Sequence, residues 1–272
     1  MQVLGFDYGT NPPTPKVKIA VGPSVAAIYP EYLTDPHIAL CPSDAQISES
    51  QKKLFPAGGN CTLSQNPDEI DASYAYLGWV FDNAKLTGSL NSFAVAGLLA
   101  QLGANPPSNT ALPVPTQIGA ALDALAAAAG SGVAAVINNP YALSAMLEQD
   151  ADLTKTSYPT AGNGGGSKIY HLREGIERFL ITDINNPGGA NMAQSSVWIM
   201  LDTMSAGGSQ PLFNHVPGGC NVLYMDGHVE FVKYVGVSGI SNMDPVTAQN
   251  AMNGCTSPVL PTVAALIGAF DS

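Results

Sequence analysis

The side chains able to do chemistry are few, and most of them gather late in the chain. The histidines are His37, His171, His215 and His228, and the cysteines are Cys41, Cys61, Cys220 and Cys255. Asp226 and His228 flank Gly227, and His215 precedes them across the loop Val216-Pro217-Gly218-Gly219. An imidazole and a carboxylate alternating along the chain, with a second imidazole able to approach, point to metal coordination. Zinc still needs a further ligand that the sequence does not identify. Calcium asks instead for several oxygens, and Asp226, Asp202 and Asp183 are the carboxylates that could supply some. A purely structural role competes with both: His215 and Asp226 would bond to loop backbone and close the Pro-Gly-Gly connection.

Other catalytic patterns are thin. Gly-x-Ser-x-Gly is absent, so there is no nucleophile elbow. The run Gly162 to Gly166 has no Lys-Ser or Lys-Thr after it and is not a phosphate loop. Glu174 and Glu177 sit on one turn, which does not oppose them across a sugar as glycosidase chemistry requires. With Arg173 and Arg178 they read as ion pairs on a helix face. The expectation is a protein that is not an enzyme. Trp79, Trp198, Tyr8, Tyr141 and Tyr158 would form a stacking platform in a secreted glycan- or ligand-binding module, the alternative function; such residues more often lie in the core.

The cysteines lack a Cys-x-x-Cys pair, against a zinc ribbon or thioredoxin-like site. Their even number permits two disulfides. The short-loop pairing is Cys41–Cys61 with Cys220–Cys255, one of three connectivities, and it suits an oxidising compartment. A net charge of −11 with only 10 Lys and Arg excludes nucleic acid as the expected partner. It also speaks against an anionic membrane surface. Neither a signal peptide nor an apolar run able to span a bilayer is visible.

These groups must be positioned by the elements around them. Asp226-Gly227 is a two-residue type I′ hairpin signal between alternating strands. That turn pairs Met225 with His228, Tyr224 with Val229, Leu223 with Glu230 and Val222 with Phe231. Val222, Tyr224, Val229 and Phe231 then form the core face. Upstream, the pattern predicts a helix over 16–33, interrupted by Pro23 and Pro30, and a short strand over 38–41. A helix over 45–54 follows, capped by Ser43 or Asp44, and then a buried strand over 73–81. Residues 86–149 are rich in Ala and nearly uncharged; they read as a helical insertion with its best helix over 117–129. A flexible loop over 161–167, a helix over 171–179 and strands near 180–183 and 197–201 complete the pattern. The whole chain, 1–272, is taken as one domain.

One set of segments resembles a known family. His215, Gly218-Gly219, Asn221-Val222-Leu223-Tyr224, Asp226-Gly227 and His228-Val229 are similar to the prepilin-type-processing-associated motif of bacterial pseudopilin-like proteins, a His, a spacer and then Asp-Gly. The spacer here is one residue longer than usual. Tyr29 to Pro36 followed by Cys41-Pro42-Ser43-Asp44, Ser73 to Gly78, and Arg173 to Leu180 resemble further segments of that family in the same order. The resemblance implies an α+β, pilin-like fold: an N-terminal helix packed on an antiparallel β-sheet, with the Asp-Gly hairpin central and the Ala-rich insertion added. It implies a non-enzymatic head domain that assembles with other pseudopilin subunits or secretion-system components. The filament would be of type II secretion or type IV pilus-like kind, on the periplasmic or extracellular face of the envelope. Calcium is implied as a possible ion. Membrane contact would run only through a hydrophobic N-terminal helix, and no such run is present in these residues.

Overall fold

A computed structural model describes residues 2–7, 14–56, 59–94, 112–129, 145–176, 194–205, 212–215 and 218–270. Helices and antiparallel strands are mixed, making the fold class α+β. At the N-terminus the expected helix over 16–33 is replaced by a strand pair. β1 (Gln2–Asp7) runs antiparallel to β2 (Thr14–Ala20), and only α1 (Val25–Ile28) is helical. Lys16-Val17-Lys18-Ile19 alternates polar and apolar residues with period two, which is strand spacing. Pro23 and Pro30 leave room for a single turn between them. The expected strand over 38–41 is instead a 3-10 turn, Pro36–Ala39, because the Asp35 side chain accepts from the His37 N–H and Pro36 occupies the start. α2 (Ile47–Leu54) forms close to its predicted span.

The main sheet has four strands in the order β12-β11-β8-β3, formed by β3 (Tyr74–Tyr76), β8 (Trp198–Asp202), β11 (Gly219–Tyr224) and β12 (Val229–Lys233). Ala75, Leu201, Cys220, Val222 and Val232 are buried and belong to its core face. The Ala-rich segment contributes to this core directly. β4 (Thr87–Ser89) pairs with β5 (Pro113–Pro115), which leads into α3 (Thr116–Ala129). Leu90, Phe93, Val114 and Ile118 join the same cluster as the sheet. The described part of 86–149 is therefore a strand pair plus a helix built into the core.

Between these lie β6 (Ala151–Asp152), β7 (Lys168–Ile169), β9 (Met204–Ser205) and β10 (Leu212–Phe213). Two C-terminal helices close the core. Asp244 caps α4 (Pro245–Ala251) by accepting from the Val246 and Thr247 N–H groups. α5 (Pro261–Phe270) packs on β5 and β9, with Val263 to Ile267 buried. A smaller cluster of Ala20, Val25, Leu33, Leu40, Leu54, Leu63 and Ile70 unites the N-terminal segments. Among the described residues no helix is long and apolar enough to cross a membrane.

Two expected loops and helices differ from expectation. In the segment 161–167, Asn163 is buried; its amide donates to the Val80 carbonyl at 3.0 Å and to Asp82 at 3.1 Å, and accepts from the Tyr170 N–H at 2.8 Å. Those bonds make it an ordered turn. In place of a helix from 171, His171 bridges Trp79 in extended form, and Arg173 pairs with Asp150 at 3.1 Å. Residues 177–183 lie outside the described residues.

The Asp-Gly hairpin exists, with a different turn. Leu223 faces Val229, Val222 faces Glu230, and Asn221 faces Phe231. The Tyr224 N–H donates to the His228 carbonyl at 3.0 Å and the Gly227 N–H to the Tyr224 carbonyl at 2.9 Å, so the loop is Met225-Asp226-Gly227. Gly227 has φ 87°, the left-handed third residue of a three-residue hairpin loop. One extra loop residue moves every partner on β12 to the other face. Val232 is thus the buried residue of β12, while Val229 and Phe231 are 60% and 52% exposed.

A Cβ at Gly227 would meet nothing within 4 Å, so the cost of a side chain there is conformational. Gly227→Val should lower unfolding free energy by about 1–3 kcal/mol. Gly227→Asn should keep most of the stability, because Asn tolerates positive φ. Urea unfolding of the three proteins checks this, and identical midpoints would refute the left-handed position.

Candidate functional site

The second face of the main sheet carries a polar constellation centred on Asp202, the last residue of β8. Sheet register places it. Asp202 lies opposite Tyr74 of β3, and on its other side the Asn221 N–H of β11 donates to Asp202 Oδ2 at 2.6 Å. The Asn221 side-chain Nδ2 donates to the same oxygen at 2.9 Å. His215 enters from outside the strand: it forms a bridge with Gly219, and its carbonyl accepts from the Gly218 N–H at 3.0 Å. That turn brings His215 Nε2 to 3.1 Å from Asp202 Oδ2.

Cys41 completes the group from the far end of the chain, with Sγ 3.6 Å from His215 Nε2. Its position follows from the Cys41-Pro42-Ser43-Asp44 turn, in which the Asp44 N–H donates to the Cys41 carbonyl. Ser73 Oγ, just before β3, donates to Asp44 Oδ2 at 2.9 Å, and Asn214 Nδ2 donates to the Ser73 carbonyl at 2.5 Å. The turn, β3 and the His215 segment are thereby tied together.

Burial sets the electrostatics. Asp202 is 2% exposed. Loss of water holds its carboxyl above the usual range, although the Asn221 N–H and His215 pull the other way. The Tyr74 phenol is pushed up to about 12 by burial and by its neighbours Cys41 and Asp202, so it remains a hydrogen-bond donor beside the thiol. Among the described residues, Cys41, Asp202 and His215 are the group of three or more His, Cys, Asp or Glu whose ligand atoms converge, all within 4.8 Å of one another.

The expected metal sets are not assembled this way. Asp226 stands at the exposed hairpin tip, where Oδ1 lies 2.5 Å from His228 Nδ1 and accepts from the His228 N–H at 3.1 Å. The His228 ring stacks on Tyr224. Asp226 lies five positions after Asn221 along strand and turn, on the order of 15 Å at about 3.3 Å per residue. Asp226 and Asp202 therefore do not share an ion, and Asp183 lies outside the described residues. The thiol, imidazole and single carboxylate at Asp202 do not fit calcium, which takes six to eight oxygens. Cys41 was the member of this group hidden from sequence reasoning, because a place in a disulfide accounted for it equally well.

The disulfide pairing is also corrected: all four cysteines are free thiols. Cys41 faces His215, and Cys61 accepts from the Leu63 N–H. Cys255 approaches the Val235 carbonyl. Cys220 is buried on the core face, where burial and Asp202 push its thiol up to about 12 and leave it unreactive. Of the aromatic residues considered for stacking, Trp79 and Trp198 are buried core and Tyr158 stacks on Phe93; Tyr8 and Tyr141 lie outside the described residues. Comparison of the chain with family models, with curated proteins and with solved structures returned no match.

Two outcomes are expected. Chain purified without reductant, then denatured in chelator, should titrate four thiols, and a count of two would restore a disulfide. The second concerns pH. The Asp202 carboxyl binds its proton more tightly in the folded state than at its ordinary 3.8. This group's contribution to stability is therefore most favourable below 3.8 and declines as pH rises through the raised folded value. In chelator, the urea midpoint of Asp202→Asn relative to wild type should rise across that window, and a difference independent of pH would contradict it.

Proposed function

We propose that this chain is the head domain of a pseudopilin-like protein, working by subunit contact rather than catalysis at the periplasmic or extracellular face of the envelope. One observation carries the reading. Segments that resemble the family, Cys41 to Asp44, Ser73-Tyr74, His215 and Asn221, lie as far as 180 positions apart in sequence and meet at Asp202. Scattered likeness would not be expected to converge on one junction. The hairpin supports assembly as well: β12 is a sheet edge presenting exposed Val229 and Phe231, a surface able to accept a second subunit.

The test is made in cells. A photo-crosslinking residue at Val229 should give adducts with another copy or another pilin-like subunit, in the envelope fraction released by shearing. Residence in the cytosol, without such adducts, would overturn the proposal.

A further inference from the structure

We infer that Cys41, Asp202 and His215 form a binding site for a transition-metal dication, zinc being the ion they fit best. This goes beyond the filament reading and does not depend on it. The donor set is one thiol, one imidazole and one carboxylate, the soft-to-borderline mixture that zinc takes.

Two of the three ligand separations match a zinc tetrahedron, and the third lies within 4.8 Å. With zinc–ligand bonds of about 2.0–2.3 Å, the edges of a tetrahedron are roughly 3.3 Å between nitrogen and oxygen and roughly 3.5 Å between sulfur and nitrogen. The corresponding separations are 3.1 Å for His215 Nε2 to Asp202 Oδ2 and 3.6 Å for Cys41 Sγ to His215 Nε2.

The imidazole turns its Nε2 toward the other two groups. His215 Nε2 has three polar neighbours, Asp202 Oδ2, Cys41 Sγ and, at 3.0 Å, Asn221 Nδ2. A nitrogen bearing hydrogen can donate to the carboxylate but then has no lone pair for the amide; without hydrogen the reverse holds. An unprotonated Nε2 would direct its one lone pair at a cation shared with Cys41 and Asp202, while the Asn221 amide keeps its bond to Asp202 Oδ2. Asn221 still has a defined role, since its N–H and Nδ2 both hold Asp202 Oδ2 in place. Groups behind metal ligands orient them in this way. Tyr74, hydrogen-bonded to Cys41, would orient that sulfur likewise. Three protein ligands leave a fourth position for water or a partner's side chain.

The full chain, stripped with chelator and dialysed, is titrated with zinc chloride and separately with cobalt chloride. About one zinc per chain should be retained and the melting temperature should rise. Cobalt should give thiolate charge-transfer absorption in the near ultraviolet with intense tetrahedral bands in the visible. Cys41→Ser should remove the charge-transfer band, His215→Gln should abolish retention, and Asn221→Leu should weaken zinc by roughly 10–100-fold. Excess calcium should not compete. Absence of zinc retention by the wild type, or a cobalt spectrum without thiolate character, would overturn the site. The wild-type spectrum decides the matter even if a variant fails to fold. Neither readout depends on where the protein resides, so failure here leaves the filament proposal standing.

Discussion

The burial of one carboxylate organises this molecule. Asp202 ends a central strand with almost no access to water, where an uncompensated charge would cost several kcal/mol. Compensation comes from β11, whose Asn221 supplies a backbone and a side-chain donor to a single oxygen. Those bonds exist only when β8 and β11 are in their observed register, with Val222 opposite Leu201. The hydrophobic face and the polar face of the sheet therefore specify the same alignment. Either strand slipping by one residue would strip Asp202 of its partner and turn Val222 out of the core together.

The same register reaches the edge strand. Asn221 lies opposite Phe231, and the Phe231 ring sits edge-on to His215 with centroids 6.2 Å apart. A Cβ on Gly219 would lie 2.5 Å from that ring and 2.8 Å from the Val232 carbonyl, so the missing side chain makes room for both. Phe231 is left partly exposed by this arrangement. It packs on the polar junction instead of the core, which explains why an aromatic strand residue faces outward.

That hairpin marks what was readable in the sequence. Two strands around Asp226-Gly227 were plain from alternation and from the turn residues. The face each presented was not, because Asp-Gly serves a two-residue loop and also the last two places of a three-residue loop. A single residue of loop length then decides which side chains are buried. α2 and α3 were legible from composition, although α2 starts after Gln46 without the side-chain cap expected from Ser43 or Asp44. The β1–β2 pair was obscured because Pro23 and Pro30 suggest a broken helix, although Lys16 to Ile19 alternate. α4 carried a readable signal in Asp244-Pro245, an N-cap followed by proline at the first helical position. The candidate site was half visible: Asp202 and His215 stood out as separate candidates, the His215–Gly218 turn brings them together, and the segment of Cys41 and Asp44 adds the thiol.

Sequence separation explains why that half stayed hidden. Cys41 and His215 are 174 residues apart, and no local pattern encodes such a meeting. What brings it about is a chain of contacts, each between neighbours in space. Cys41 and Asp44 close a turn, Asp44 accepts from Ser73, Ser73 leads into Tyr74, and Tyr74 pairs with Asp202. Every step joins neighbours in space through a backbone group or a short side chain, so none can lengthen to absorb an error elsewhere. Short donors and acceptors hold the four segments in one defined register, the preorganisation that metal ligation would need. A junction built only to bury apolar surface would not require that preorganisation. Its presence around a thiol, an imidazole and a carboxylate is what distinguishes this place from the rest of the sheet.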